Sequence, residues 1–192
     1  MKHKGDSRFG TALQGLKGDA RARLHALKTI HERSTEGGDA ERSVRRAVFR
    51  AMHEDSSQQI RAEAAYVASF WFDEEAAREL LRCCRDSSQP PAVRAQAVEG
   101  LGNVLETLPR RSWQRGSAIA VRALLDHPDA RVRFWACYAA GAMRLRGALR
   151  RLKTLADSDH RLCPGMWKVS EEAQDVITFF TSGVWPERRR TR

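Results

Sequence analysis

One phrase in this chain recurs, and that recurrence limits the fold more than any other feature. Asp19-Ala20-Arg21-Ala22-Arg23-Leu24-His25-Ala26 returns as Asp129-Ala130-Arg131-Val132-Arg133-Phe134-Trp135-Ala136. Between them stand Ile60-Arg61 with Ala64 four residues on, and Val93-Arg94 with Ala97 four residues on; Val169-Ser170 with Ala173 is a weaker last copy. The first residue of each pair serves as an anchor: Ala22, Ile60, Val93, Val132 and Val169, spaced 38, 33, 39 and 37 residues apart. A period of this length marks stacked supersecondary units, none of which can bury its apolar face alone.

Each anchor opens a helix with apolar residues at offsets 0, 4, 7–8 and 11. Ile60, Ala64, Val67, Ala68 and Trp71 form one such stripe; Val93, Ala97, Leu101 and Val104 form the next; Val132, Ala136, Ala140 and Met143 form a third. This is the amphipathic helical period. A second helical segment separates successive anchors: Ser43 to His53, Glu74 to Arg85, Ser112 to Asp126 and Gly147 to Ala156. Phe9, Leu13 and Leu16 mark a short opening helix, and prolines fall between helices at Pro90-Pro91, Pro109, Pro128 and Pro164. No stretch alternates with period two for long enough to form a sheet. The spacing predicts ten helices in five antiparallel pairs.

The pattern Asp-x-x-Val-Arg-x-x-Ala-x-x-x-Leu-Gly is clearest from Asp129 to Gly141 and from Val93 to Gly102. It resembles the second helix of a HEAT repeat, especially the short bacterial repeats named after bilin lyases. The resemblance spans about Arg8 to Ser182 and implies an all-α fold, a right-handed α-solenoid of about five HEAT-like helix pairs. Residues 1–7 are then a flexible basic N-terminus, 8–182 the array and 183–192 a basic C-terminal tail. The connection from Ser158 to Lys168 and the missing Arg after Val169 make the last repeat atypical, as expected of a cap. HEAT arrays mostly hold proteins, sometimes nucleic acid, and occasionally carry catalysis.

Arg23, Arg61, Arg94 and Arg133 follow their anchors once per repeat. They read either as a row of anion sites or as a ladder bonding an Asp or a carbonyl in neighbouring turns. The resemblance favours the ladder, and a planar fork of donors suits it. Asp19, Asp55, Asp86, Asp126 and Asp129 stand in suitable turns.

Family geometry puts the anchor helices on the concave side. Offsets 3, 6 and 10 then fall together, away from the buried stripe. From the second repeat onward they carry Glu63, Gln96, Trp135 and Glu172, then Tyr66, Glu99, Tyr138 and Asp175, then Phe70, Asn103, Ala142 and Phe179, with no Lys or Arg. The arginines gather on the other helices instead: Arg42, Arg45, Arg46 and Arg50; Arg78, Arg82 and Arg85; Arg110, Arg111, Arg115 and Arg122; Arg150, Arg151 and Lys153; and the tail Arg188 to Arg192. Formal net charge is +10, yet the projected groove is acidic and aromatic.

Few signs of chemistry accompany this pattern. Gly-rich phosphate loops, H-E-x-x-H and G-x-S-x-G are absent. His160 and Cys163 make only half of a metal site, and no cofactor motif occurs. Cys83, Cys84, Cys137 and Cys163 form no C-x-x-C pair and read as small core residues. Some HEAT-like DNA glycosylases cradle a damaged base with groove tryptophans; Trp135 beside Glu99 or Asp175 is the one matching constellation, without a basic groove around it. With no apolar run of membrane length and no signal-peptide core, the expectation is a cytoplasmic, non-enzymatic scaffold, adaptor or inhibitor. It grips a basic or amphipathic partner segment through Glu63, Tyr66, Glu99, Trp135, Tyr138, Glu172 and Asp175. The alternatives are a nucleic-acid-binding module using the Arg-rich outer helices and tail, and an immunity protein neutralising a toxin.

Overall fold

Local chemistry fixes where the helices begin and end. Asp73 caps one of them by accepting from the Ala76 backbone N–H (2.9 Å), with Glu74 and Glu75 in its first turn. Asp129 does the same for a later one through the Arg131 N–H (2.9 Å). Pro91 opens a third at the position where its missing N–H costs nothing, and Gly183, with φ of 76°, closes the last in the left-handed conformation.

The computed structural model describes residues 9–35, 41–109 and 115–187. Within them run α1 (Gly10–Gly15), α2 (Ala20–Thr35), α3 (Arg42–Glu54), α4 (Gln58–Ala68), α5 (Glu74–Arg85), α6 (Pro91–Thr107), α7 (Arg115–Leu124), α8 (Ala130–Ala142), α9 (Leu149–Ser158) and α10 (Val169–Ser182). Consecutive helices pair as α1–α2, α3–α4, α5–α6, α7–α8 and α9–α10. The anchor helices α2, α4, α6, α8 and α10 also pack on one another in order, whereas α3, α5 and α7 touch along their own layer far less. A layer that is crowded on one side and splayed on the other curves with the crowded side inward. The anchor helices therefore form the concave face.

Small residues permit that crowding. Ala64, Ala97, Ala136 and Ala173, all at the fourth offset, are fully buried. Gly102 on α6 lies against α8 so closely that a Cβ there would sit 3.0 Å from Ala139 Cα. The apolar offsets expected to face inward do so: Ile60, Val67, Val93, Leu101, Val132, Met143, Val169 and Val176 all belong to one continuous core. The four cysteines are buried and free. Burial pushes the Cys83 and Cys84 thiols up to about 12, as befits packing residues rather than nucleophiles.

The arginine after each anchor forms the ladder. Arg23 donates to Gly18 O (2.7 Å) in its own turn and pairs with Asp55 in the next (2.9 Å). Arg61 donates to the Asp55 carbonyl. Arg94 donates to Cys84 O (3.0 Å) and lies 3.1 Å from His127 Nε2 in the following turn. Arg133 donates to His127 O (2.6 Å), Pro128 O (2.9 Å) and Asp159 (2.6 Å). Arg23, Arg61 and Arg133 thus tie down their own inter-helix turns and Arg94 the last turn of α5, and three of the four reach the next turn as well. The acids differ from the expected set. Asp55 and Asp159 serve the ladder, Asp19 and Asp129 cap helices, and Asp86 binds Ser88, while Asp126 pairs with Arg151 (2.7 Å).

The atypical last connection is a short turn. Leu162 and Lys168 form an isolated antiparallel bridge, Cys163 N–H donates to Trp167 O (3.0 Å), and Gly165 takes a φ of 77°. The turn presses Trp167 edge-on against Phe134, ring centroids 5.5 Å apart. Residues 1–7 and Arg188 to Arg192 lie outside the described residues. Trp185, expected at the start of a tail, instead lies flat on Phe179 (4.5 Å, 11°).

Candidate functional site

Inner-face residues come from α4, α6, α8 and α10 at the offsets that point away from the core. Tyr66 on α4 packs edge-to-face with Phe70 (5.0 Å) and against His31 of α2 (5.1 Å). Glu63 is half-buried one turn earlier. On α6, Glu99 accepts from Gln96 Nε2 (2.7 Å). On α8, Trp135 meets Tyr138 at a right angle (5.7 Å, 88°), and the Tyr138 hydroxyl donates to Asn103 Oδ1 of α6 (2.7 Å). Glu63, Tyr66, Glu99, Trp135 and Tyr138 are each half-buried, and the Tyr138–Asn103 hydrogen bond joins α8 to α6.

Glu172 and Asp175 are more deeply buried. They are 4% and 8% exposed, because the Trp167 indole N–H donates to Glu172 (2.9 Å) and the end of the array closes over α10. Trp185 contributes to the closure, stacking beside Tyr138 (5.8 Å, 29°) and passing over Gly141, where a Cβ would lie 2.5 Å from its ring. Arg144, at φ 51°, places its guanidinium 4.8 Å from the centre of the Phe179 ring, so a cation stands at the closed end of the face. The sequence projection missed these three residues because none follows the repeat phase.

The electrostatics of the open part are unusual for an acidic surface. Among the described residues neither Glu63 nor Glu99 makes an ion pair. Burial pushes the Glu99 carboxyl up to about 7, against the opposing Gln96 hydrogen bond. Burial, and then the charges of Glu106, Glu99 and Glu172, push the Tyr138 phenol up to about 12. Among the described residues, Glu63 and Glu99 have no cation paired with them; Arg144 stands at the closed end.

A stability prediction follows from Glu99. The folded chain holds its proton up to about pH 7, while the unfolded chain releases it near pH 4.3. The folded state thus binds more protons in that window, so this group's contribution to stability falls as pH rises from about 4 to about 7. Glu99→Gln removes the effect. In urea melts the variant should be more stable than the parent at pH 8, with the gap closing at pH 5; an equal gap at both pH values contradicts it.

No group of three or more His, Cys, Asp or Glu among the described residues is placed to hold a metal ion. Cys163 is buried and His160 lies 3.4 Å from Ser170 Oγ.

Residues 87–162 match the family model for HEAT repeats. The likeness to that family covers this stretch. It runs from the turn before α6 to the bridge at Leu162 and holds two of the inner helices, α6 and α8. No curated protein matches the sequence significantly. Among solved structures, the complex of CpcE and CpcF of phycocyanin lyase from Nostoc sp. PCC7120 is similar at TM-score 0.64 and 16% identity, covering 90% of this chain and 99% of that one. A designed armadillo repeat protein in complex with the peptide (KR)4 is similar at TM-score 0.60 and 16% identity, covering 90% and 81%. These likenesses establish the fold, a HEAT/armadillo-type solenoid.

Proposed function

We propose that this HEAT-type solenoid is a protein-binding scaffold or adaptor whose concave face grips a basic, extended segment of a partner. The observation that carries it is that Glu63 of α4 and Glu99 of α6 are half-buried and make no ion pair among the described residues, on helices packed in order with the α8 helix that bears Trp135 and Tyr138. A half-buried carboxylate without an opposite charge is costly to ionise, and a Lys or Arg from another chain would supply that charge. Aromatic faces beside the carboxylates add cation–π attraction for the same side chains, and Tyr and Trp are the residue types that dominate binding energy at interfaces. The designed armadillo neighbour is a solenoid bound to an alternating Lys-Arg peptide, and the CpcE–CpcF neighbour is one bound to a protein. Both support the reading at the level of fold.

The test is a titration of a fluorescently labelled octapeptide of alternating Lys and Arg, followed by polarisation at pH 6 and pH 8. Binding should strengthen at pH 8, because a cation favours the ionised form of Glu99, and Glu99→Gln should flatten the difference. Failure to bind at low salt, or binding that weakens toward pH 8, contradicts the proposal.

A further inference from the structure

The outer layer carries the charge that the inner face lacks. Arg46 and Arg50 of α3, Arg78 and Arg85 of α5, Arg122 of α7 and Arg150 of α9 are all exposed, and none makes an ion pair among the described residues. Several acids of this layer are already engaged, and Glu54, Glu74 and Asp157, exposed and outside any ion pair among the described residues, are fewer than the exposed arginines. Asp73 and Glu75 hold Arg45 (2.8 Å each), Glu79 holds Arg82 (3.2 Å), and Asp126 holds Arg151 (2.7 Å). What remains is a surplus of positive charge spread over four successive helices.

Glycines keep that surplus continuous from helix to helix. A Cβ on Gly116 of α7 would lie 3.3 Å from Arg85 Nη1, and one on Gly147, before α9, would lie 3.6 Å from Arg122 Nη1. Arg85 and Arg122 thus extend across the gaps between splayed outer helices, forming a stripe rather than separate clumps. The composition of the stripe selects among polyanions. Among the described residues Ile119 is the one large apolar side chain exposed on α3, α5, α7 or α9, and Phe72 before α5 is the one exposed aromatic nearby, so these helices show no row of aromatic platforms for unstacked bases and no apolar edge to enter a lipid surface. It also lacks the apolar centre of a protein interface.

From this we propose that the convex face of α3, α5, α7 and α9 binds the phosphate backbone of double-stranded nucleic acid without regard to sequence. The cations track phosphates along the duplex, and binding is driven by release of condensed counterions. The acidic concave face repels the same polyanion, so the two surfaces take different partners.

The experiment uses the full chain and a labelled 20-base-pair duplex of mixed sequence, read by polarisation between 50 and 200 mM salt. Six phosphate contacts predict a loss of roughly 10³-fold in affinity across that range. The triple variant Arg46→Glu/Arg78→Glu/Arg122→Glu should bind far more weakly, with a salt slope smaller by about 3. A chain lacking residues 188–192 should keep most of its affinity, and Glu63→Lys/Glu99→Lys should not lose any. Arg46, Arg78 and Arg122 are exposed and Glu63 and Glu99 half-buried, and helical circular dichroism checks that each variant is folded. No duplex binding overturns the proposal. So does binding untouched by the triple variant, binding lost with residues 188–192, preference for single strands, or capture by phosphatidylserine vesicles in place of duplex.

Discussion

Arg133→Ala is expected to destabilise the array by about 3–5 kcal/mol, the range for removing one partner of a buried ion pair. Arg133 is 6% exposed and its guanidinium is shared between Asp159, His127 O and Pro128 O. Truncation leaves a largely buried carboxylate and two turn carbonyls without their donor. Those groups join the fourth repeat to the fifth, so the loss is felt at the junction on which the closed end depends. Arg151→Ala is the control: its pair with Asp126 is more exposed, at 38% and 67%, and should cost less than about 1 kcal/mol. Both are measured as urea midpoints by circular dichroism at pH 7.

The Arg133 penalty should also vary with pH. Burial alone would raise the Asp159 carboxyl, but the hydrogen bond and charge of Arg133 hold it below its ordinary range. A depressed carboxyl contributes stability above its unfolded value, near pH 3.9, and loses that contribution as pH falls through the folded one. The gap between Arg133→Ala and the parent should therefore shrink below about pH 4. A penalty within about 0.5 kcal/mol of zero at pH 7 would remove the ladder from the account of stability.

The second large effect concerns binding. Glu63→Lys/Glu99→Lys should weaken the Lys-Arg octapeptide by tenfold or more, since about 1.4 kcal/mol suffices for each factor of ten and like charges replace two attractions. Glu99 is only half-buried and Glu63 likewise, so neither change puts a charge into the core. Arg46→Glu on the convex side should leave peptide affinity unchanged or slightly improved. Glu172 is a poor choice for the same experiment: buried and bonded to Trp167, its reversal would damage the end of the array and confuse folding with binding.

The contrast between Glu99 and Glu172 shows how far the sequence could be read. Ile60, Val93, Val132 and Val169 declare the buried stripe because a helix in a stack repeats its environment every unit. Arg23 and Arg133 declare the ladder because each follows its anchor by one residue. The same phase projects Glu63, Tyr66, Glu99, Trp135 and Tyr138 outside the buried stripe, and all five are half-buried. It fails at Glu172 and Asp175, because what covers that end comes from Trp167 in an irregular turn and from the segment after α10. One signal was available. Gly102 and Gly141 occupy the same place in their repeats; Gly102 admits α8, whereas Gly141 admits Trp185 together with Val176 of α10. A glycine retained where the stack is about to end points to something further that must approach it closely. Asp159 was missed for a related reason: it lies in the atypical connection, where no counterpart in another repeat indicates its role.

The proposed site for a basic segment is the concave face of repeats two to four. Backbone amide NMR of the labelled chain during titration with the Lys-Arg octapeptide locates the contact directly. Saturable shifts are expected along α4, α6 and α8, largest around Glu63, Tyr66, Glu99, Trp135 and Tyr138, with α3, α5 and α7 quiet. Shifts confined to the outer helices, or none at peptide excess, would contradict it.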